Sequence, residues 1–242
     1  MPLRAVICDA FNTLFRNEIS GWIDTFGEIC RLQGHAVPPQ ELYDVWKSHE
    51  MGFRRVRNNL ERPELSPPFK TYRTAWMEAF VDAFRDLGLQ GDPQQAAAMS
   101  VEAMGTREPF DDTMQFLERA GRHWRISLLT NADDDFISPL LERYGLSFHS
   151  VVTSESAQAY KPAPMGFLRV LRETGVSPEE TVYVGDTPLD DVHGARLLGV
   201  RAAWLNRSGA KWDDSLLAPD YEVSGLEELE RVLESQEGVN RK

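Results

Sequence analysis

The spacing of apolar residues changes period twice along this 242-residue chain. Leu3 to Cys8 is a short apolar run of strand-forming residues. It breaks at a single carboxylate, Asp9, and continues into the turn-prone Ala10-Phe11-Asn12-Thr13. From about Ile19 to Met104 the spacing is helical. Ile19, Trp22, Ile23, Phe26, Ile29 and Cys30 form one stripe, punctuated by Gly34 and Pro38-Pro39. Leu42, Val45, Trp46, His49 and Phe53 form a second. Three prolines mark 62–68 as a loop. Tyr72, Trp76, Ala79, Phe80, Ala83, Phe84 and Leu87 make a third helix, ending near Gly88, and Asp92-Pro93 opens a fourth that reaches Met104.

At Glu108-Pro109-Phe110 the pattern changes again. Asp112 or Thr113 caps a helix running to Ala120, and strands and helices then alternate. Strands are expected at 125–130, 148–153, 181–186, 200–205 and 220–223. Helices are expected at 136–144, 165–174, 192–198 and 226–234. Such alternation indicates a doubly wound parallel α/β sheet with helices on both faces. The helical block interrupts it directly after the first strand. The expected division is an α/β core of 1–15 and 108–242 with an all-helical cap of 16–107 inserted.

Composition narrows the partners. With 42% hydrophobic residues the chain can bury a sizeable core. A net charge of -12 argues against a nucleic-acid surface and against a polybasic membrane patch. An anion would have to be handled by a local cation or a metal. Cys8 and Cys30, the two cysteines, lie in no zinc-ligand spacing. No leader or membrane-length apolar run is seen, so the cytoplasm is the expected compartment.

Three expected strands end in polar groups: Asp9, Thr130-Asn131 and Asp186. A parallel sheet brings all strand C-termini to one edge, where open α/β folds bind ligands. Lys161, in the loop after the third strand, can reach that edge, and Asp190-Asp191 follow Asp186 across a turn containing Pro188.

These four segments, in this order, resemble the motifs of the haloacid dehalogenase (HAD) superfamily of aspartate-nucleophile hydrolases, in the subgroup with a helical cap after the first strand. The segments are Asp9-Ala10-Phe11-Asn12-Thr13-Leu14, Leu128-Leu129-Thr130-Asn131, Tyr160-Lys161-Pro162 and Val184-Gly185-Asp186-Thr187-Pro188-Leu189-Asp190-Asp191. The resemblance implies a Rossmann-like core and a nucleophilic Asp9 that forms a covalent aspartyl ester. It also implies Thr130, the backbone amide of Asn131 and Lys161 as groups that hold the transferring oxygens. Phosphatase members use Mg²⁺, which here would fall to Asp9, the carbonyl of Phe11, Asp186 and, less directly, Asp191, with Asp190 as the alternative. The implied substrate is a small anionic molecule, and the chain is expected to act as a monomer or homodimer.

Position 11 departs from the phosphatase pattern, which has a second Asp there. Phe11 can neither protonate a leaving group nor activate water, a contribution of about 10²–10⁴-fold. Dehalogenase members carry an aromatic residue there and use no metal, but they lack the acid corresponding to Asp186. They also need a cap arginine after a tryptophan, and the nearest match here is Trp46-Lys47. Arg54-Arg55-Arg57 is a further candidate for anion contact, and His49 and His193 are candidate proton donors. Three functions remain: a Mg²⁺-dependent phosphatase, a metal-independent 2-haloacid dehalogenase, and a non-catalytic binding protein on a decayed hydrolase fold.

Overall fold

The computed structural model describes residues 1–240, with side chains through Ser235. In chain order the first elements are β1 (Ala5–Cys8), α1 (Ile19–Gln33), α2 (Pro39–Val56), α3 (Tyr72–Leu87), α4 (Pro93–Met104) and α5 (Thr113–Ala120). Next come β2 (Arg125–Thr130), α6 (Asp134–Arg143), β3 (Val151–Thr153), α7 (Ser154–Ala157) and α8 (Pro164–Thr174). The last are β4 (Thr181–Gly185), α9 (Gly194–Leu197), β5 (Arg201–Leu205), β6 (Tyr221–Val223) and α10 (Leu226–Asn240). These form two compact units. One comprises Met1–Arg16, Glu108–Asn131 and the chain from Ser147 onward, and the other comprises Asn17–Arg107 and Ala132–Leu146.

In the first unit the six strands make one sheet in the order β3-β2-β1-β4-β5-β6, every neighbouring pair parallel. The chain winds outward from β1 through β2 to β3, then returns to β1's other side and winds through β4, β5 and β6. The direction reverses between β1 and β4, and open α/β sheets bind ligands at such a switch point. Every residue of β1 and β4 is buried, as a central parallel strand covered on both faces requires. Ile7, Leu129, Tyr183, Ala202 and Trp204 pack with Phe167, Val170 and Leu171 of α8 on one face. Val6, Cys8, Val182, Val184 and Ala203 alternate with them and are equally buried on the other.

The second unit has an aromatic core. Trp22 lies 5.3 Å from Trp46 and 5.4 Å from Trp76, and Phe26 lies 5.3 Å from Phe80. The stripes that predicted α1, α2 and α3 supply these rings. Here the structure differs from the expected division, because residues 132–146, including α6, belong to the helical unit. The reason is local. The buried carboxylate of Asp133 accepts the free amides of Tyr72 (2.9 Å) and Arg73 (2.8 Å) at the start of α3. Phe136 stacks on Trp76 at 5.7 Å, and Arg73 Nε donates to Asp135 at 2.6 Å.

Two smaller differences bear on the site. The strand expected from Phe148 begins at Val151. The helix expected at 192–198 starts earlier, with a π-helical turn over Pro188–His193 that runs into α9.

Candidate active site

The register of β1 sets the position of Asp9. Cys8 is level with Leu128 of β2 and Val184 of β4, and the Asp9 amide extends the ladder to the Val184 carbonyl at 2.9 Å. Asp9 therefore sits at the C-terminal edge, at the switch point. Beyond it the chain doubles back. Leu14 and Phe15 amides both bond the Ala10 carbonyl (2.8 and 2.9 Å), and the Asn12 amide bonds Phe15 O at 2.7 Å. This turn requires a left-handed residue at Asn12 (φ 61°), a conformation asparagine tolerates better than most.

On the neighbouring strand the edge is shaped by a glycine. A Cβ on Gly185 would lie 2.3 Å from Asp191 Cγ, so only glycine lets the π-helical turn fold Asp191 against the end of β4. The Thr187 amide holds Asp191 Oδ2 at 2.9 Å. Trp204 Nε1 donates to the Asp186 carbonyl at 2.9 Å and so anchors the start of the same loop.

Lys161 closes the site. It is 3% exposed, and its Nζ lies 2.6 Å from Asp9 Oδ1, 2.6 Å from Asp191 Oδ1, 2.7 Å from Tyr183 OH and 3.2 Å from Leu129 O. Asn131 fixes the lysine's backbone to the end of β2. Its Oδ1 accepts the Lys161 amide at 2.7 Å, and its Nδ2 donates to Lys161 O (3.3 Å) and Asp190 Oδ2 (3.1 Å). Asp190 thus turns toward Asn131, and Asp191 toward the lysine. Thr130, the last residue of β2, is buried beside this group. Phe11 is half-buried in the turn after Asp9.

Oxygens of Asp9, Asp186 and Asp191 lie within 4.8 Å of one another. One ammonium faces three carboxylates, and Asp186 has no ion-pair partner among the described residues. The imbalance shows in the proton affinities. Burial pushes the Asp9 carboxyl up to about 6, with the Lys161 ammonium opposing and the Asp191 charge adding. Burial, then the Asp191 and Asp9 charges, hold Asp186 well above the usual carboxylate range. Burial alone would lower Lys161, but Asp191 and Asp9 outweigh it and hold the lysine charged.

Among the described residues, Asp9 and Asp186 offer carboxylate oxygens to a hard cation, and both Asp191 oxygens already accept hydrogen bonds. The donor set is oxygen-only and carries excess negative charge, which fits Mg²⁺. A cavity of about 410 Å³ opens beside Asp186, lined by Asn12, Trp204, Asn206, Arg207 and Lys211 among others.

Most of the remaining sequence candidates have partners of their own. Lys47 Nζ pairs with Glu50 at 2.8 Å, and Arg54 also pairs with Glu50. Arg57 donates to Tyr72 OH at 2.6 Å, and Arg55 is exposed. His49 Nε2 is 2.8 Å from Asp86, and His193 Nδ1 accepts the Leu217 amide at 3.1 Å. The sequence reading missed Tyr183, whose hydroxyl is central to the lysine's surroundings. A tyrosine inside the apolar run Thr181-Val182-Tyr183-Val184 was the available signal, since a buried phenol needs a partner.

A carboxylate at a sheet's switch point, with a buried lysine and further acids around it, is an arrangement suited to hydrolytic substitution. The profile described as haloacid dehalogenase-like hydrolase matches residues 3–199, and the chain belongs to that family. Phosphoserine phosphatase of Thermus thermophilus is 35% identical over 156 residues, covering 62% of this chain and 61% of that enzyme. Haloacetate dehalogenase H-2 of Moraxella is 28% identical over 234 residues, covering 96% and 98%. Among solved structures, L-2-haloacid dehalogenase from Xanthobacter autotrophicus superposes with a TM-score of 0.75 at 22% identity, covering 96% of this chain and 98% of that one. The HAD-hydrolase YfnB of Bacillus subtilis, bound to magnesium, superposes with a TM-score of 0.79 at 18% identity, covering 96% and 99%. Enzymes of both chemistries are therefore among the sequence relatives of this chain. Family membership implies a small-molecule substrate, and no helix among the described residues is long and apolar enough to cross a membrane.

Proposed function

We propose that this protein is a Mg²⁺-dependent phosphatase of small anionic phosphorylated metabolites, with Asp9 as nucleophile. The observation that carries the reading is the surplus of charge at the site: Asp9, Asp186 and Asp191 with oxygens within 4.8 Å, and Lys161 as the cation paired with two of them. A second cation at Asp9, Asp186 and the Phe11 carbonyl would offset the repulsion between nucleophile and phosphate. Asp9 attacks phosphorus, the bond to the leaving oxygen breaks, and an aspartyl phosphate forms. Thr130 and the Asn131 amide hold the transferring oxygens, the Lys161 charge attracts them, and Asn131's side chain keeps the lysine in place. Water then hydrolyses the aspartyl ester.

Phe11 shapes the substrate range. With no acid two residues after Asp9, the leaving group departs without a proton from that position, so substrates with acidic leaving groups are favoured. Acyl phosphates and aryl phosphates are the preferred class. Water activation is also weakened, so the aspartyl phosphate accumulates. A panel of phosphate esters with Mg²⁺ tests this. The expected result is a steep rise in rate with leaving-group acidity and a stoichiometric burst of released leaving group. No metal-dependent turnover of any ester contradicts it.

A metal-independent 2-haloacid dehalogenase is the second reading, favoured by Phe11 and by the full-length match to the Moraxella haloacetate dehalogenase. Halide needs no proton to leave. Chloride release from 2-chloropropionate in EDTA would establish it.

A further inference from the structure

We propose that Tyr183 is a positioning residue that fixes the Lys161 ammonium on the nucleophile side of the site. The proposal rests on the reading that Asp9 and Lys161 act together at the reacting centre, and it holds for either chemistry.

Hydrogen-bond accounting leads to it. An ammonium has three N–H groups, and four acceptors surround this one: Asp9 Oδ1, Asp191 Oδ1, Tyr183 OH and Leu129 O. The first three lie at 2.6–2.7 Å and the carbonyl at 3.2 Å. The short contacts take the three protons. The Tyr183 hydroxyl then passes its own proton to Leu129 O at 3.0 Å or to Asp191 Oδ1 at 2.8 Å. With the phenol in place all three protons have short acceptors; without it the third would fall to the longer 3.2 Å contact with Leu129 O.

The geometry gives the hydroxyl a specific task. Contacts to Asp9 and Asp191, with only the longer one to Leu129 O beside them, hold the ammonium loosely along an arc between two carboxylates. A third short contact, from β4, reduces that arc to a point. The ring delivering it is itself fixed. Tyr183 is fully buried, and Phe167 packs on it at 5.3 Å. Phe167 lies so close to Gly194 that a Cβ there would be 2.9 Å from the phenyl carbons. The tyrosine ring therefore cannot follow the lysine if the lysine moves. A group that must place charge on a transferring oxygen gains from such preorganisation.

Tyr183→Phe isolates the hydroxyl, because the ring and its contact with the lysine remain. Wild type and variant are compared by steady-state kinetics on an aryl phosphate with Mg²⁺ and on 2-chloropropionate. Melting temperature and the Lys161 ammonium resonance after ¹⁵N-lysine labelling, assigned with Lys161→Arg, complete the comparison. The variant is expected to lose kcat about tenfold, the worth of one hydrogen bond to a charged group, with KM held within about twofold. Its ammonium protons are expected to exchange at least about tenfold faster. A melting temperature that falls while kcat and the ammonium resonance stay unchanged marks a purely structural tyrosine and overturns the proposal. If Tyr183→Phe does not fold, 4-aminophenylalanine at this position restores a polar group of the same reach. Recovery of kcat and slow exchange then supports the proposal, and failure to recover them overturns it. If the wild type turns over neither substrate, the functional reading fails, while the ammonium resonance still decides the role of Tyr183.

Discussion

Two buried ion clusters in this molecule have opposite balances. In the helical unit Glu50 is fully buried between Lys47 and Arg54, so one carboxylate has two cations. Burial would raise the Glu50 carboxyl, but Arg54 and Lys47 outweigh it and hold it below its ordinary range. In the sheet unit three carboxylates have one ammonium, and Asp9 and Asp186 are pushed up. The first cluster is complete in itself. The second has room and charge for another cation and for a substrate anion. Perturbed acids mark functional sites when their neighbours fail to neutralise them, and a neutralised acid of equal burial marks structure.

The largest expected difference comes from removing the minority charge on each side, the ammonium in one cluster and the carboxylate in the other. Lys161→Met leaves Asp9 and Asp191 buried together with no ammonium. Stability should fall by about 3–5 kcal/mol, read by urea unfolding, and kcat by at least about 10²-fold. Glu50→Gln leaves Lys47 and Arg54, whose side chains are each 35% exposed and can turn to water. That change should cost about 1–2 kcal/mol and leave kcat/KM within about twofold. A comparable loss of activity from Glu50→Gln would collapse the contrast.

The smallest effect is in pH dependence. A carboxyl raised to about 6 stays protonated, and non-nucleophilic, at higher pH than an ordinary aspartate. At limiting Mg²⁺, kcat/KM should be about half its plateau near pH 6 and fall tenfold per unit well below it. A divalent cation favours the ionised form and should slide that limb to lower pH. A limb that stays in place when Mg²⁺ is added would mean that the cation does not sit at Asp9.

Much of the site was legible because each strand-end group announces itself locally. Asp9, Asp186 and Thr130-Asn131 each close an apolar run, and a parallel sheet must bring such ends to one edge. What was not legible depends on distant partners. The helical pattern of 136–144 shows a helix but not the unit it packs in. That is decided by Asp133 accepting amides some sixty residues away in the chain. Lys47 looked like an anion receptor until Glu50, three residues on, was seen folded onto it. The choice between Asp190 and Asp191 depends on the π-helical turn, which turns them to Asn131 and Lys161 respectively. Tyr183 showed its hydroxyl in the sequence, but its partners, Lys161, Leu129 and Asp191, come from three other positions of the fold.

Titration calorimetry of Mg²⁺ into the protein near pH 7.5 tests the central claim, that the unbalanced acid cluster takes a divalent cation. One site is expected, abolished in Asp9→Asn and in Asp186→Asn and retained in Glu50→Gln. No binding to the wild type, together with chloride release from 2-chloropropionate in EDTA, would contradict the account and make Lys161 the sole cation of the reaction.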